Sequence, residues 1–149
     1  MNMLLSKNTE QGNESVNQTS KQPYKKIWAV GGGKGGVGKS LIAANLGIML
    51  ARQADKVILV DLDLGGANLH TCLGVELPKY TISDFIGRHV DSIEQLIVPT
   101  TIKNLGLISG AQDLLDIANL KYAQKQRFLS KLSDLDADYV ILDLGAGTI

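Results

Sequence analysis

The chain has 149 residues, a length that fits one domain. Its 44% hydrophobic and 20% charged residues are typical of a soluble globular protein with a small core. Fifteen basic and fifteen acidic residues give zero net charge, so the totals do not support a surface that generally binds nucleic acid or coats a membrane.

Cysteine content and hydropathy indicate the cellular compartment of the protein. The single cysteine, Cys72, cannot form an internal disulfide or a metal cluster, and we interpret it as a small apolar residue. The sequence shows no secretory signal, and its longest apolar stretch, Leu41 to Ala51, is about half the length that spans a bilayer. These features predict a cytoplasmic protein.

The first 24 residues are predicted to form a disordered polar tail. Within it, Ser6 to Gln22 has Val16 as its only large apolar residue, too little apolar surface to offset the entropy lost on ordering. Pro23 closes this segment.

Strands and helices alternate along the remaining chain. The predicted strands are Lys26–Val30, Lys56–Val60, Leu105–Ile108 and Tyr139–Leu142, with Ile97–Pro99 as an edge strand. The predicted helices are Lys39–Gln53, a short one within Asp63–Gly74, Thr81–Ile86 capped by Thr81 or Ser83, Asp91–Leu96 and Asn119–Leu135. This alternation predicts an α/β fold with a mostly parallel sheet and right-handed crossovers.

Apolar spacing predicts which faces of the two long helices are buried. In the first, the inward residues are Ile42, Leu46, Met49 and Leu50, with Ala43, Ala44 and Gly47 allowing close packing. In the last, they are Tyr122, Phe128, Leu129, Leu132 and Leu135.

A glycine-rich segment, GGGKGGVGKS, lies between the first strand and the first helix. Its last eight residues satisfy the phosphate-binding pattern G-x-x-x-x-G-K-[ST]; they are Gly33, Lys34, Gly35, Gly36, Val37, Gly38, Lys39 and Ser40. Glycines let backbone N–H groups point at phosphate oxygens, and the helix adds its positive end. Lys39 supplies a charge for the β- and γ-phosphates, and Ser40 a hydroxyl for Mg²⁺.

The same segment also contains G-x-G-x-x-G, the dinucleotide fingerprint, with Asp61 about where a ribose-binding acid is expected. Two features favour a triphosphate. Lys39 and Ser40 have no role in dinucleotide binding, and a second strand-end carboxylate, Asp143, suits a metal-bound triphosphate. We therefore predict binding of ATP with Mg²⁺.

Acidic residues follow two of the predicted strands. Asp61 and Asp63 can hold the magnesium hydration shell and orient a water toward the γ-phosphate, although either alone could cap a turn. Asp143 ends the segment YVILD, which has the form of a Walker B strand. Gly145 and Gly147 follow, and glycine there permits a backbone N–H to approach the γ-phosphate and the loop to change shape.

From about Lys26 onward the chain resembles the MinD/ParA superfamily of deviant Walker A P-loop ATPases. The resemblance is carried by GKGGVGKS with Lys34, DLDLGGANL from Asp61, LISGAQDLLDIANL from Leu107 and YVILDLGAG from Tyr139. The acidic segments look most like flagellar-number regulators and MinD-type division ATPases, and less like iron–sulfur scaffold ATPases. Residues 25–149 would thus be the N-terminal part of a P-loop ATPase domain.

The resemblance implies roles for individual residues. Lys34, otherwise an exposed loop lysine, would be the signature lysine that reaches the partner's phosphates in an ATP-bound homodimer. Lys39, Asp63 and Lys34 would be catalytic, with Asp63 positioning water. The metal residues would be Ser40, Asp61 and Asp143, and the remaining nucleotide contacts would come from Gly33 to Ser40 and Gly145.

The implied function is an ATPase switch that dimerises with ATP, is stimulated by a protein activator and regulates the positioning of flagella, the division site or DNA. Alternatives are a metabolic ligase of the cobyrinate-amidation type and a non-catalytic nucleotide-binding fragment. The full-length form would be cytoplasmic or peripheral at the inner face of the plasma membrane.

The chain departs from the family pattern in three ways. Ser40 stands where Thr is common, and the tail lacks the partner-activating motif of many flagellar-number regulators. The chain also stops at Ile149, before the strands and helices that contact adenine in the family and before any amphipathic membrane-targeting helix. We therefore expect a truncated sequence that exposes one side of its sheet. Any membrane or DNA contact would come through absent regions.

Overall fold

The computed structural model describes residues 25–32, 38–63, 68–110 and 121–145. The predicted polar tail lies outside these residues. The strands are β1 (Lys26–Val30), β2 (Val57–Asp61), β3 (Val98–Pro99), β4 (Leu105–Ile108) and β5 (Tyr139–Asp143). The helices are α1 (Lys39–Arg52), α2 (Leu69–Cys72), α3 (Ile82–Ile86), a 3₁₀ helix (Ile93–Leu96) and α4 (Tyr122–Ser133).

The five strands form one sheet in the order β1-β5-β2-β4-β3. All pairings are parallel except that of β3 with β4, which is antiparallel. The continuous apolar runs of β2 and β4 are buried along their whole length, as strands covered on both faces must be. This confirms the predicted α/β fold and places β3 at an edge.

Helices cover both faces of the sheet. On one face, Phe128 and Leu132 of α4 join Phe85 of α3 over Val60 and Val140. On the other face, α1 and α2 pack over Leu59 of β2, Leu107 of β4 and Ile141 of β5. The core therefore has two layers, and all three central strands contribute to both.

The buried face of α1 matches the predicted one only in part: Leu46 and Leu50 are half-buried and pack against the core. Ile42 and Met49 are exposed, at 58% and 62%, whereas Ala43, Ala44 and Gly47 are buried. A Cβ atom on Gly47 would lie 3.1 Å from the Leu59 side chain, so the helix packs too close to β2 for large residues. The residues thought to permit close packing thus form the buried face.

The long helix also departs from its prediction. Tyr122 and Leu129 were expected to face inward, but they are 77% and 44% exposed. The helix ends at Ser133 rather than at Leu135. Phe128 and Leu132 occupy the positions that face the sheet, so Tyr122 and Leu129 lie on other sides of the helix, away from the core.

Smaller differences concern element ends. Lys56 precedes β2 instead of starting it, and the helix predicted from Asp91 is a 3₁₀ turn over Ile93–Leu96. Thr81, not Ser83, is the N-cap of α3, and the Asp84 carboxylate accepts a hydrogen bond from the Thr81 N–H at 2.8 Å.

The outer edge of β1 lies at the end of the sheet as far as the described residues extend. Ile27 and Trp28 of this strand are 44% and 38% exposed, although both are large apolar residues. Within the part of the chain that the structure describes, β1 is therefore an edge strand with exposed apolar side chains. Among the described residues, no helix is long and apolar enough to cross a membrane.

Candidate functional site

The candidate site lies where the carboxyl ends of three strands meet. In the sheet register, Val30 of β1 and Asp61 of β2 flank Asp143 of β5. Gly31 and Gly32 follow β1 directly. Residues that are distant in the chain are therefore brought together by parallel pairing, at the edge where α/β sheets bind ligands.

Gly38 forms the junction between the glycine-rich loop and α1. Its φ of 80° lies in the left-handed region, which only glycine adopts without strain. Its carbonyl accepts the Ile42 N–H at 3.0 Å and so starts the helix. Gly33, Lys34, Gly35, Gly36 and Val37 lie outside the described residues, so their predicted phosphate contacts stay predictions.

Lys39 opens α1 and is partly buried. Its ammonium donates a hydrogen bond to the Gly32 carbonyl oxygen at 3.1 Å. The side chain therefore folds back over the loop entrance. A positive charge and the N-terminal end of a 14-residue helix lie together here, an arrangement suited to an anion.

Ser40 and Asp143 connect α1 to β5. The Ser40 hydroxyl donates to Asp143 Oδ2 at 2.6 Å across 103 residues of sequence. Asp143 is 1% exposed, and burial raises the pKa of its carboxyl, while the Ser40 hydrogen bond opposes that increase. The two residues predicted to share a metal are thus adjacent.

Asp61 is fully buried beside Asp143. Its Oδ1 accepts the Asp63 N–H and its Oδ2 accepts the Leu69 N–H, each at 3.0 Å. Burial raises the pKa of Asp61, and these two hydrogen bonds oppose the increase. The carboxylate therefore closes the loop between β2 and α2. Its predicted role near the metal stays a prediction.

Asp63 and Gly145 lie in van der Waals proximity. A Cβ atom placed on Gly145 would be 2.6 Å from Asp63 Oδ1 and 2.9 Å from Asp63 Cα. In addition, the Leu62 N–H donates to the Asp143 carbonyl at 2.9 Å. The segments following β2 and β5 are therefore packed against each other.

Two contributors to the site were not singled out from the sequence, the Gly32 carbonyl and the Leu69 N–H. Ser109 directly follows β4, the strand paired with β2. Ser109 is 2% exposed, and its hydroxyl has no hydrogen-bond partner in the described part of the chain. A serine at the end of a buried strand is a signal that could have identified it.

The donor set fits magnesium in the presence of a triphosphate. Mg²⁺ prefers oxygen ligands and is usually bound by one or two carboxylates plus phosphates rather than by an all-protein cage. Ser40 and Asp143 supply a hydroxyl and a carboxylate at one point. Within the described ranges no group of three His, Cys, Asp or Glu side chains could hold a metal alone.

Comparison with known proteins identifies the family. A family model described as "ParA: NUBPL iron-transfer P-loop NTPase" matches residues 23–149. The chain belongs to the ParA family of P-loop NTPases. Antiactivator FleN of Pseudomonas aeruginosa is 34% identical over 122 residues, covering 81% of this ParA-family chain and 43% of FleN. Septum site-determining protein MinD of Synechocystis is 38% identical over 82% of the chain and 46% of MinD.

The solved structures agree with the sequence relatives. MinD complexed with Mg-ADP from Pyrococcus horikoshii superimposes with a TM-score of 0.72 at 30% identity, over 83% of this chain and 50% of that protein. This ParA-family chain thus has the P-loop NTPase fold of MinD. It spans less than half the length of the curated relatives above.

Proposed function

We propose that this chain is the nucleotide-binding part of a cytoplasmic, Mg²⁺-dependent ATPase switch of the MinD/ParA type. The observation that carries the proposal is the 2.6 Å hydrogen bond between Ser40 and buried Asp143, beside the Lys39 ammonium at the start of α1. A hydroxyl, a carboxylate and a cation at one helix N-terminus match a metal-bound triphosphate and serve no purpose for a dinucleotide.

Each site residue has a distinct part in the proposed reaction. Lys39 would leave the Gly32 carbonyl to bind the β- and γ-phosphates, while Ser40 and Asp143 would hold Mg²⁺, with Asp61 assisting. The metal would supply neutralisation of charge on the phosphate oxygens. Asp63 orients the water whose oxygen attacks the γ-phosphorus as the bond to the β-phosphate breaks. The Gly145 N–H would approach the γ-phosphate.

The proposed switch requires two copies of the protein. Lys34 reaches the phosphates bound by the partner copy, so ATP closes a homodimer and hydrolysis opens it. We also propose that a protein activator stimulates hydrolysis; a solved MinC:MinD complex from Aquifex aeolicus shows a relative bound to a second protein. The positioning role and any membrane or DNA contact are proposed for the whole protein, since the chain spans less than half the length of the curated relatives.

The test compares variants of the complete gene product. We expect ATP, but not ADP, to dimerise the wild type in light scattering after gel filtration. Lys34→Ala should bind ATP within about threefold of the wild type yet neither dimerise nor hydrolyse it, because its cation acts only across the dimer. Lys103→Ala removes an exposed lysine at the opposite end of the strands and should behave as wild type.

The outcomes separate the alternatives. Dimerisation and turnover of Lys34→Ala at wild-type levels contradict the switch mechanism. Turnover of the wild type that depends on an added small carboxylic acid and an amide donor supports the ligase alternative. ATP binding with no turnover above background, with a partner present, supports a non-catalytic nucleotide-binding protein.

A further inference from the structure

We propose that a cavity at the amino ends of the parallel strands is a second binding site, which takes a small organic acid with two carboxylate groups. The cavity lies between the last turn of α1 and the turn that joins β3 to β4. Lys39 and Asp143 of the nucleotide site lie at the opposite ends of α1 and of the sheet. The proposal is therefore independent of the proposed function.

The cavity has the size and wall of a small-molecule site. Its volume is about 420 Å³, within the roughly 300–1,000 Å³ that is usual for such sites. Ala51 of α1 is 3% exposed, and Ile102 of the turn packs against the core. Because both line the cavity, part of its wall is apolar and can receive the carbon chain of a ligand.

The charge of the cavity comes from Arg52 and Lys103. Arg52 ends α1 and Lys103 belongs to the turn before β4, so the two exposed cations stand on different walls. All the residues that line the cavity are among those the structure describes, and none of them is acidic; Asp55 follows in the chain but is not part of the wall. A guanidinium can bind one carboxylate through two parallel hydrogen bonds, and an ammonium can neutralise a second.

Arg52 by itself would have a simpler explanation. A cation in the last turn of a helix is stabilised by the negative end of the helix dipole. That explanation does not cover Lys103, which lies outside any helix and yet lines the same cavity. The pair therefore indicates an anion with two charged groups.

Asn104 holds the two walls in place. Its side-chain amide donates to the Ala51 carbonyl at 3.5 Å, and its own carbonyl accepts the Val57 N–H at 2.8 Å. Thr100 fixes the rest of the turn, since its hydroxyl donates to the Leu105 carbonyl at 2.9 Å. The cavity is thus formed before a ligand arrives, which lowers the entropy lost on binding.

The backbone of the cavity wall is unusual. Ala54 and Asn104 both have a φ of 68°, in the left-handed region. Asparagine adopts this conformation readily, whereas alanine rarely does, and glycine is the usual residue just after a helix end. Uncommon backbone conformations are concentrated at ligand sites, so Ala54 is a separate observation that favours binding here.

Charge and apolar wall together select the class of ligand. Inorganic phosphate could reach the cations but would bury no apolar surface. A short carbon chain between two carboxylates can contact Ala51 and Ile102 while its ends meet Arg52 and Lys103. Succinate has this form and is the probe for the site.

The experiment measures binding of succinate to the complete gene product by calorimetry, at constant ionic strength and without nucleotide. Succinate should bind at least about tenfold more tightly than inorganic phosphate. Arg52→Gln and Lys103→Gln should each weaken succinate binding about tenfold, because each removes a charge-assisted contact. In NMR spectra of the wild type, succinate should shift the backbone amide signals of Lys103 and Asn104.

Two variants and one ligand serve as controls. Lys125→Gln removes an exposed lysine of α4, and Lys39→Ala removes the cation that opens α1 at the nucleotide site. Both variants should bind succinate as the wild type does, and saturating MgADP should leave the succinate affinity of the wild type unchanged. Arg52→Gln and Lys103→Gln should keep wild-type affinity for MgADP, which shows that they are folded.

Several results overturn the proposal. They are no binding of succinate by the wild type, wild-type affinity in both Arg52→Gln and Lys103→Gln, or equal weakening in Lys125→Gln. Loss of succinate binding in Lys39→Ala or with MgADP also overturns it, since the acid then occupies the phosphate-binding loop. If a glutamine variant does not fold, unshifted Lys103 and Asn104 signals in the wild type decide against the site. Succinate binding without any nucleotide binding contradicts only the proposed function.

Discussion

Removing the Ser40 hydroxyl tests the central contact of the site without any ligand. In Ser40→Ala, buried Asp143 loses its 2.6 Å hydrogen bond. Hydrogen bonds to charged groups contribute about 1.5–3 kcal/mol, so at about pH 8 we expect the free energy of unfolding to fall by about 2 kcal/mol. The loss should be smaller near pH 4, because a protonated carboxyl loses only a neutral hydrogen bond, worth about 1 kcal/mol.

The pH dependence has a definite sign. Burial raises the pKa of Asp143 and the Ser40 hydrogen bond lowers it, so the pKa rises further in Ser40→Ala. A raised carboxyl pKa contributes stability that is fully present below the unfolded-state pKa and is lost as the pH rises through the folded-state pKa. The variant should therefore lose stability more steeply with pH than the wild type.

Urea unfolding of this chain, followed by the fluorescence of Trp28, its one tryptophan, measures this difference. A loss of about 2 kcal/mol corresponds to a midpoint shift of roughly 1 M urea. Ser133→Ala is the control: it removes an exposed hydroxyl that donates to the Leu129 carbonyl, with no carboxylate involved. Equal losses for Ser40→Ala at both pH values, or a loss no larger than that of Ser133→Ala, would refute the reasoning.

Two further predictions concern charge. Since burial raises the pKa of both Asp61 and Asp143, the free energy of unfolding of the nucleotide-free protein should fall as the pH rises through those pKa values. In urea unfolding, Asp143→Asn should make this fall with pH smaller. Curves of unfolding free energy against pH that run parallel for the variant and the wild type would contradict the prediction. Lys39→Ala should weaken MgATP binding at least tenfold in a fluorescent-nucleotide titration, because the phosphates lose their nearest described cation; retained affinity would argue against the triphosphate site.

Sequence reasoning was accurate where the chemistry is local or runs along one strand. The apolar segments of β2, β4 and β5 predicted buried parallel strands. Ser40 and Asp143, both assigned to the metal from the sequence, are hydrogen-bonded in the structure, and their metal role stays a prediction. Family membership followed from the contiguous motif around Lys39, which the family match over residues 23–149 confirms.

Sequence reasoning was only partly right about helix faces: Phe128, Leu132 and Leu135 are buried as predicted, but other predicted inward residues are exposed. Periodicity assigns large apolar residues to the core, yet α1 buries Ala43, Ala44 and Gly47 and exposes Ile42 and Met49. The spacing of apolar residues predicts which of them share a face of the helix, but it does not give the distance between helix and sheet. That distance, set here by contact of Gly47 with Leu59, decided which face is buried.

The sequence by itself identified the segment that matches the phosphate-binding pattern, because that pattern is contiguous in the chain. It also determined which carboxylates stand at strand ends. Only the tertiary structure decided what those carboxylates touch: Asp61 closes its loop through Asp63 and Leu69, and Gly145 packs on Asp63. Such contacts depend on the register and separation of parallel strands, which residues far apart in the chain establish together.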